Sequence, residues 1–271
     1  MNKKYVVIKC GGSVLEKLPH SFYQNVVDLQ KQGEWQPIIV HGGGPLISKL
    51  LKQTGVPTTF VNGLRVTTQE VLDVVEMALS GSINKQIVRK LVEAEGKAFG
   101  ISGIDGGLLT AKPVDNKEDM GFVGEVTNVN TMIIKDLVEK GFIPIISPIG
   151  IDESGERFNI NADMAASAVA QSLGAKLCYI SDIPGIYEEK NGQKHIFHQL
   201  DQVKANQLID LGGVIAGGMI PKVQSAIKAL HQHVLEVSII DGIEPDGLWQ
   251  FMQGKEIGTR ILLNKEGKSH V

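Results

Sequence analysis

Cysteine is scarce in this sequence, and long apolar runs are absent from it. Its 271 residues include two cysteines, Cys10 and Cys178, which form no CxxC motif and lie in or beside apolar runs. Such cysteines are typical of buried thiols in a reducing compartment; they exclude a disulfide scaffold and give no indication of a zinc site. No stretch approaches the roughly 18 apolar residues of a membrane span, and the run before Lys9 is too short for a signal peptide. We therefore expect a cytoplasmic protein without a membrane partner.

An excess of basic charge is also missing. The 27 Lys and Arg residues are balanced by 30 Asp and Glu residues, the formal net charge is -3, and no basic run occurs. Because nucleic acid is bound through clustered cations, we expect no nucleic-acid partner. The 31 Gly and 10 Pro residues follow no fixed period and 42% of the residues are apolar, which excludes collagen-like and disordered chains and allows a substantial core.

Short apolar strands alternate with helical patterns along the chain. Six runs rich in β-branched and apolar residues predict buried strands at residues 5–8, 37–40, 97–101, 143–146, 177–180 and 236–240. Between them apolar residues recur at helical spacing, with Thr67 predicted as an N-cap. The dipeptides Asn62-Gly63 and Asn191-Gly192 predict two tight hairpins. We therefore predict an α/β fold, a three-layer αβα sandwich with a mostly parallel central sheet.

Glycine and polar residues follow the carboxyl ends of the predicted strands. They occupy residues 9–13, 41–45, 102–107, 147–150, 181–182 and 241–242. Ligands bind at this edge in open α/β sheets. Neither GxxxxGK[ST] nor GxGxxG occurs, so any nucleotide must be bound by other means than these two phosphate loops.

Two of these loops are suited to binding an anion. Three glycines at 42–44 lead into a predicted helix with Pro45 in its first turn, which places backbone N–H groups at the positive end of a helix dipole. A tight strand-to-helix turn is the alternative interpretation. Lys9 precedes two glycines, which let a phosphate approach the backbone while the ammonium supplies charge. An exposed edge lysine would show the same pattern.

Two further cations are candidates for the same edge. Lys222 follows Gly217-Gly218 at the start of a predicted helix, where a cation opposes the helix dipole unless an anion lies nearby. A flexible glycine crossover is the alternative there. Arg65 follows the first hairpin turn, and a guanidinium grips a carboxylate through two parallel hydrogen bonds. A surface arginine is the alternative for this residue.

Amide and carboxylate groups complete the candidate set. Asn159, Asn161 and Asp163 alternate, so their side chains face one way in an extended segment, although either of the last two could be a helix N-cap. His41 ends a strand and is interpreted as a hydrogen-bond partner of the glycine loop rather than a base. No general base stands out, and a carboxylate acceptor with a pKa near about 4.3 needs none. The set therefore indicates phosphoryl transfer to a carboxylate.

Six motifs together resemble those of the amino-acid kinase family, from Val6 to Leu262. They are residues 8–12 (IKCGG), 40–44 (VHGGG), 62–67 (NGLRVT), 159–163 (NINAD), 181–185 (SDIPG) and 217–222 (GGMIPK). NGLRVT together with NxNAD is similar to the members that phosphorylate N-acetyl-L-glutamate. The resemblance implies ATP-dependent transfer to the side-chain carboxylate of that substrate, giving N-acetyl-L-glutamyl 5-phosphate in arginine biosynthesis.

The resemblance also implies roles for individual residues. Lys9 and Lys222 would stabilise the transition state, Asp163 would hold both ammonium groups, and Gly12 would donate a backbone N–H to the transferred group. The residues implied for N-acetylglutamate are Gly43, Gly44, Arg65 and Asn159, with Arg65 at the α-carboxylate. The residues implied for ATP are Gly11, Asp182, Ile183, Pro184, Gly185, Ile186, Tyr187, Val214, Ile215, Ala216 and Gly217. Mg²⁺ would be held mainly by the nucleotide phosphates and water.

The same likeness implies two lobes on one continuous sheet. Residues 1–175 would bind the acyl amino acid and form a homodimer, and residues 176–271 would bind the nucleotide. The first strand begins at about residue 5, which leaves no room for the N-terminal helix that links dimers into rings in arginine-inhibited members, so we expect insensitivity to arginine.

Some alternatives stay open at this point. The apolar stripe of Val71, Val74, Val75, Ala78 and Leu79 could serve the dimer interface or pack on its own sheet. A kinase for glutamate, aspartate or a protected aminoadipate is a rival interpretation, because one methylene changes pocket affinity by only about 1–3 kcal/mol. A non-catalytic amino-acid sensor is another, although Lys9, Lys222 and Asp163 are all present.

Overall fold

The computed structural model describes residues 4–115, 119–190, 192–210 and 219–263. The strands of this part are β1 (Lys4–Cys10), β2 (Trp35–His41), β3 (Phe60–Val61), β4 (Leu64–Arg65), β5 (Ala98–Ser102), β6 (Leu109–Pro113), β7 (Val123–Val129), β8 (Ile143–Ser147), β9 (Ile149–Ile151), β10 (Arg157–Ile160), β11 (Lys176–Ser181), β12 (Tyr187–Lys190), β13 (Gln193–Ile196), β14 (Gln199–Asp201), β15 (Glu236–Asp241) and β16 (Thr259–Leu262).

The helices lie between these strands. They are α1 (Gly12–Leu15), α2 (His20–Gln32), α3 (Gly44–Thr54), α4 (Gln69–Glu76), α5 (Asn84–Glu93), α6 (Thr131–Glu139), α7 (Ala162–Leu173), α8 (Gln202–Asp210), α9 (Met219–His231) and α10 (Gly247–Met252), with a π-helix at Met77–Ile83 and a 3₁₀ helix at Asp105–Gly107. No helix in the described residues is long and apolar enough to cross a membrane.

An eight-stranded sheet forms the centre of the molecule. Its order is β14-β16-β15-β11-β1-β2-β8-β5, and every neighbouring pair is parallel except β15 with β16. The six predicted strands are confirmed as the contiguous block from β15 to β5. Continuous apolar runs such as that of β1 are required because helices cover both faces of a parallel sheet.

Alternate residues of each central strand point into two separate cores. Val7 of β1 packs with α6, α7, α8 and α9 on one face, whereas Val6 and Ile8 pack with α2, α3, α4, α5 and α10 on the other. The predicted three-layer sandwich is therefore confirmed.

Four short strands lie outside the main sheet and carry part of the candidate site. They close on themselves in the order β10-β7-β6-β9, and β10 pairs parallel to β7 and antiparallel to β9. Sequence reasoning missed them because their side chains alternate between buried and half-exposed positions instead of forming one apolar run. Their role is to bring Asn159 at the end of β10 toward the glycine loops.

The apolar stripe on α4 and the π-helix belongs to the core of the chain. Val71, Val74, Val75, Ala78 and Leu79 are each at most 6% exposed. Packing on their own sheet therefore accounts for these side chains, and they offer no exposed surface to a second copy.

The Asn-Gly dipeptide predicted the first turn correctly, whereas the predicted start of α4 was wrong by one residue. Asn62 and Gly63 both have positive φ, as the predicted tight turn between β3 and β4 requires. The second predicted turn includes Asn191, which lies outside the described residues. The N-cap of α4 is Thr68, whose hydroxyl accepts from the Val71 N–H, so the prediction of Thr67 was wrong by one residue. The Thr67 hydroxyl is instead buried and donates to the Arg65 carbonyl.

Candidate active site

The glycine loops meet at the carboxyl edge of the sheet. Gly43 is the N-cap of α3, with Pro45 in the first turn of that helix. Gly12, at the start of α1, packs so closely on this loop that an added Cβ would lie 2.8 Å from the Gly44 nitrogen. A Cβ on Gly43 would lie 2.2 Å from Cδ1 of Ile83 in the π-helix. Glycine at position 12 is therefore required for the two loops to approach each other, since its close neighbours include backbone atoms, whereas a Cβ at position 43 would have to displace the ends of the Ile83 and Leu79 side chains.

A cavity of about 190 Å³ opens beside these loops. Its lining includes all the residues predicted for the acyl amino acid together with the one predicted for the transferred group: Gly12, Gly43, Gly44, Arg65 and Asn159. The residues come from four different elements, so the fold brings together what the sequence separates by almost 150 positions.

Arg65 is a buried cation whose partners in the described part of the chain are neutral. It is 8% exposed, and its Nη1 and Nη2 donate to Thr58 Oγ1 and Ser48 Oγ, each at 2.8 Å. The guanidinium carbon lies 4.6 Å from the centre of the Phe60 ring. No carboxylate of the described residues makes an ion pair with it, and burial lowers its pKa. A buried guanidinium held only by neutral groups is suited to an anionic ligand.

The buried His41 side chain contacts the backbone of the glycine loop. Its ring is fully buried, with Nδ1 3.1 Å from the Gly42 carbonyl and Nε2 3.3 Å from Asn84 Nδ2. Burial lowers the pKa of His41 to about 4, so the ring is neutral near pH 7. Nδ1–H then donates to the carbonyl and Nε2 accepts from Asn84. This agrees with its interpretation as a hydrogen-bond partner rather than a base.

The three residues of the NxNAD segment have separate tasks. Asn161 is the N-cap of α7, and its Oδ1 accepts from the N–H groups of Asp163 and Met164. Asn159 Nδ2 donates to Thr67 Oγ1 at 3.0 Å on the wall of the 190 Å³ cavity. Asp163 lies in the first turn of α7 and pairs with Lys9, Oδ1 to Nζ, at 2.6 Å.

Lys9 and Lys222 line one further cavity, of about 220 Å³. Lys222 lies in the first turn of α9, and its Nζ is 2.6 Å from Ser181 Oγ and 3.3 Å from Asp182 Oδ1. Gly11 and Asp163 belong to the same lining. Two ammonium groups from opposite halves of the sequence thus converge on one space.

The position of Asp163 differs in one respect from the expectation. It was expected to hold both ammonium groups, but in the described structure it pairs with Lys9, while the carboxylate beside Lys222 is Asp182. Lys17 also lies 3.3 Å from Asp182. The reason is geometric. Ser181 ends β11 and Asp182 follows it, both within reach of Lys222 in the first turn of α9, whereas Asp163 lies in the first turn of α7, within reach of Lys9 in β1.

Of the residues predicted for the nucleotide, Gly11 lines the lysine cavity, and the segment after β11 has an exposed part and a buried part. Asp182, Ile183, Pro184 and Tyr187 are partly or fully exposed after β11. Gly185 and Ile186 are buried; the Ile186 N–H donates to Thr259 Oγ1 and its carbonyl accepts from Phe197, so Ile186 supports the segment from the core. Val214, Ile215, Ala216 and Gly217 lie outside the described residues.

Sequence reasoning missed the hydroxyl groups that orient the charged side chains. Ser48 and Thr58 hold Arg65, Thr67 holds Asn159, and Ser181 contacts Lys222. Ser181 was flagged only as part of a polar loop. A lone hydroxyl carries no spacing signal, since the contacts depend on which elements meet in three dimensions.

The sequence matches the family model described as Amino acid kinase family over residues 4–241. This chain belongs to the amino acid kinase family. The acetylglutamate kinase of Oceanobacillus iheyensis is 46% identical to this family member over 261 residues, 96% of this chain and 97% of that protein. The acetylglutamate kinase of Geobacillus kaustophilus is 48% identical over 263 residues, 95% of this chain and 99% of that protein.

A solved structure extends the similarity to the fold. The crystal structure of smu.665 from Streptococcus mutans UA159 superposes with a TM-score of 0.79 and 32% identity, covering 96% of this chain and 99% of that chain. The family match over residues 4–241 contains both glycine loops and both lysines, and the solved structure shares the fold over nearly the same length.

Proposed function

We propose that this amino acid kinase is an acetylglutamate kinase, which phosphorylates the side-chain carboxylate of N-acetyl-L-glutamate with ATP in arginine biosynthesis. Relatives of that name match almost end to end at 46% and 48% identity. The structural observation that carries the proposal is Arg65, a buried guanidinium whose partners within the described residues are two neutral hydroxyls and an aromatic ring. It faces the glycine loops across one cavity. A dicarboxylate with a blocked amino group suits such a pocket.

Binding places the two ends of the acyl amino acid differently. The α-carboxylate pairs with Arg65, and Asn159 contributes its amide to the same substrate. The side-chain carboxylate lies at the N-terminus of α3, where the backbone N–H groups of Gly43 and Gly44 and the helix dipole favour negative charge. The reacting carboxylate is thereby directed toward Gly12 and the lysine cavity.

Phosphoryl transfer then needs charge neutralisation rather than a base. An oxygen of the side-chain carboxylate forms a bond to the γ-phosphorus of ATP while the bond from that phosphorus to the β–γ bridging oxygen breaks, and ADP leaves with that electron pair. Lys9 and Lys222 stabilise the charge on the transferred group, and the Gly12 N–H donates to it. Asp163 keeps the Lys9 ammonium in place.

The nucleotide belongs on the other side of the lysine cavity. Gly11 and the segment Asp182 to Tyr187, with Val214 to Gly217, are proposed to bind ATP. Mg²⁺ would supply further charge neutralisation, held mainly by the phosphates and water. The nearby carboxylates Asp163 and Asp182 both pair with lysines, and the described residues contain no cluster of three or more His, Cys, Asp or Glu suited to a metal.

The assembly and location follow as part of the proposal. Residues 1–175 form the acyl-amino-acid lobe and residues 176–271 the nucleotide lobe of one continuous sheet. A homodimer through the first lobe is supported by β5, which ends the described sheet and carries Phe99, 42% exposed. The buried free thiols of Cys10 and Cys178 suit the reducing cytoplasm.

A parallel assay tests the substrate. ADP release and acyl-phosphate formation would be measured with N-acetylglutamate, N-acetylaspartate, glutamate, aspartate and an amino-protected aminoadipate. We expect N-acetylglutamate to have the highest kcat/KM. A preference for free glutamate or for a protected aminoadipate would replace the proposed substrate, and ligand binding without turnover of any of them would favour a sensor.

A further inference from the structure

Tyr179 lies directly beside the reactive lysine. It is in β11, and the parallel register with β1 pairs it with Lys9, so the two side chains point to the same face of the sheet at the same height. The Lys9 Nζ lies 5.9 Å from the centre of the Tyr179 ring. That is within the distance at which an ammonium is attracted to the face of an aromatic ring.

The ring is fixed by burial. Tyr179 is 4% exposed and packs into the core layer that contains α7 and α9. Its hydroxyl lies beside Ser167 and Asp163 but makes no hydrogen bond of normal geometry with the described residues. Burial, and then the charge of Asp163, raises the pKa of Tyr179, so the hydroxyl stays protonated. The packing of this core layer therefore holds the buried ring beside Lys9.

Tyr179 also lines two cavities. One is the 220 Å³ cavity of Lys9 and Lys222, and the other, of about 210 Å³, is lined by Asn161, Asp163 and Ser167. Asp163 and Tyr179 are on the walls of both. Together with Asp163, Tyr179 thus forms part of the wall around the Lys9 ammonium.

We propose that Tyr179 is a positioning residue for phosphoryl transfer, whose ring holds the Lys9 ammonium between Asp163 and the cavity shared with Lys222. The proposal rests on the proposed function for its kinetic consequence. The ring acts through Lys9 and touches neither the 190 Å³ cavity nor Arg65. Its loss should therefore change kcat and leave the KM for N-acetylglutamate nearly constant.

Two substitutions at this position separate the ring from the hydroxyl. Tyr179→Leu removes both, and we expect kcat to fall by about 5- to 30-fold, the factor equivalent to about 1–2 kcal/mol of cation–π stabilisation. Tyr179→Phe keeps the ring, so kcat should recover to within about threefold of the wild-type value. Tyr23→Leu is the matched control, because Tyr23 is equally buried but belongs to the other core layer.

A spectroscopic measurement does not depend on activity. Lysine side chains are labelled with ¹³C-methyl groups, and the Lys9 signal is assigned by its absence in Lys9→Arg. We expect the chemical shift of this Lys9 methyl signal to change in Tyr179→Leu and to stay the same in Tyr23→Leu. Equal kcat per folded molecule in Tyr179→Leu and wild type, or an unmoved Lys9 signal, would overturn the proposal. If the wild type phosphorylates none of the acidic substrates, the proposed function fails while the NMR comparison still decides whether Tyr179 holds Lys9.

Discussion

The cations of the site differ in what neutralises them. Lys9 is paired with Asp163 at 2.6 Å and Lys222 lies 3.3 Å from Asp182, whereas Arg65 contacts neutral hydroxyls in the described structure. A cation with a protein partner keeps its position in the absence of an anion, and a buried cation without one gains most when an anion binds. At the residue scale we therefore expect Arg65 to contribute to substrate binding and the two lysines to contribute to the rate of phosphoryl transfer.

Substitution of Lys222 tests the expected contribution of the lysines to the rate. Lys222→Ala should lower kcat by at least about 100-fold, because cations placed where charge develops in the transition state contribute that much or more. Steady-state kinetics at saturating substrates measures the effect. Lys204→Ala, an exposed lysine on the neighbouring helix α8, is the control and should leave kcat unchanged. Near-normal turnover of Lys222→Ala would remove Lys222 from the mechanism.

Substitution of Arg65 tests its expected contribution to substrate binding. Arg65→Ala should raise the KM for N-acetylglutamate by at least about tenfold, since a hydrogen-bonded charged contact contributes about 1.5–3 kcal/mol. The KM for ATP should stay within about twofold of the wild-type value, because Arg65 lines a cavity separate from the lysine cavity. Arg89→Ala, an exposed arginine on α5, is the matched control. An effect confined to ATP would move Arg65 to the nucleotide site.

At the scale of elements, the site is made of helix starts. Gly43 is the N-cap of α3, Asn161 is the N-cap of α7, and Lys222 lies in the first turn of α9. Three helix N-termini at one sheet edge provide a field that favours anions. Local residues predicted the start of α3 from its glycine run, but they left the cap of α7 open between Asn161 and Asp163. They were wrong by one residue at Thr68, where two adjacent threonines offer the same hydroxyl.

The close approach of the glycine loops gives an element-level prediction. Gly12→Ala would place a Cβ within 3 Å of the Gly43 and Gly44 backbone, so we expect a loss of about 1–3 kcal/mol in the free energy of unfolding. Gly44→Ala has no neighbour within 4 Å and should leave the free energy of unfolding equal or slightly higher. Chemical denaturation compares the two. Equal destabilisation by both substitutions would show that close packing of the loops is not the reason for Gly12.

For the whole molecule, the sequence was informative about layers and uninformative about long-range pairing. Six apolar runs predicted the central strands, and the polar loops after them predicted the ligand edge. The closed group of β6, β7, β9 and β10 was missed, because half-exposed strands lack a continuous apolar run. Strand order and register determine that Lys222 lies near Asp182 and that Tyr179 lies beside Lys9. No local sequence pattern contains this information.

The pH dependence of stability is a property of the whole molecule that depends on His41. Burial lowers the pKa of His41 to about 4, from an ordinary value of 6.5. The unfolded chain therefore binds more protons than the folded chain between these pH values, and stability falls as the pH drops from about 6.5 toward 4. We expect His41 to account for a loss of about 2 kcal/mol in the free energy of unfolding between pH 7 and pH 5. Urea denaturation at both pH values measures the loss, and His41→Asn should reduce it.

NMR titration of the wild-type His41 ring decides the question if that variant fails to fold. A ring that becomes charged near pH 6.5 in the folded protein would contradict the prediction, since such a ring would bind protons equally in both states.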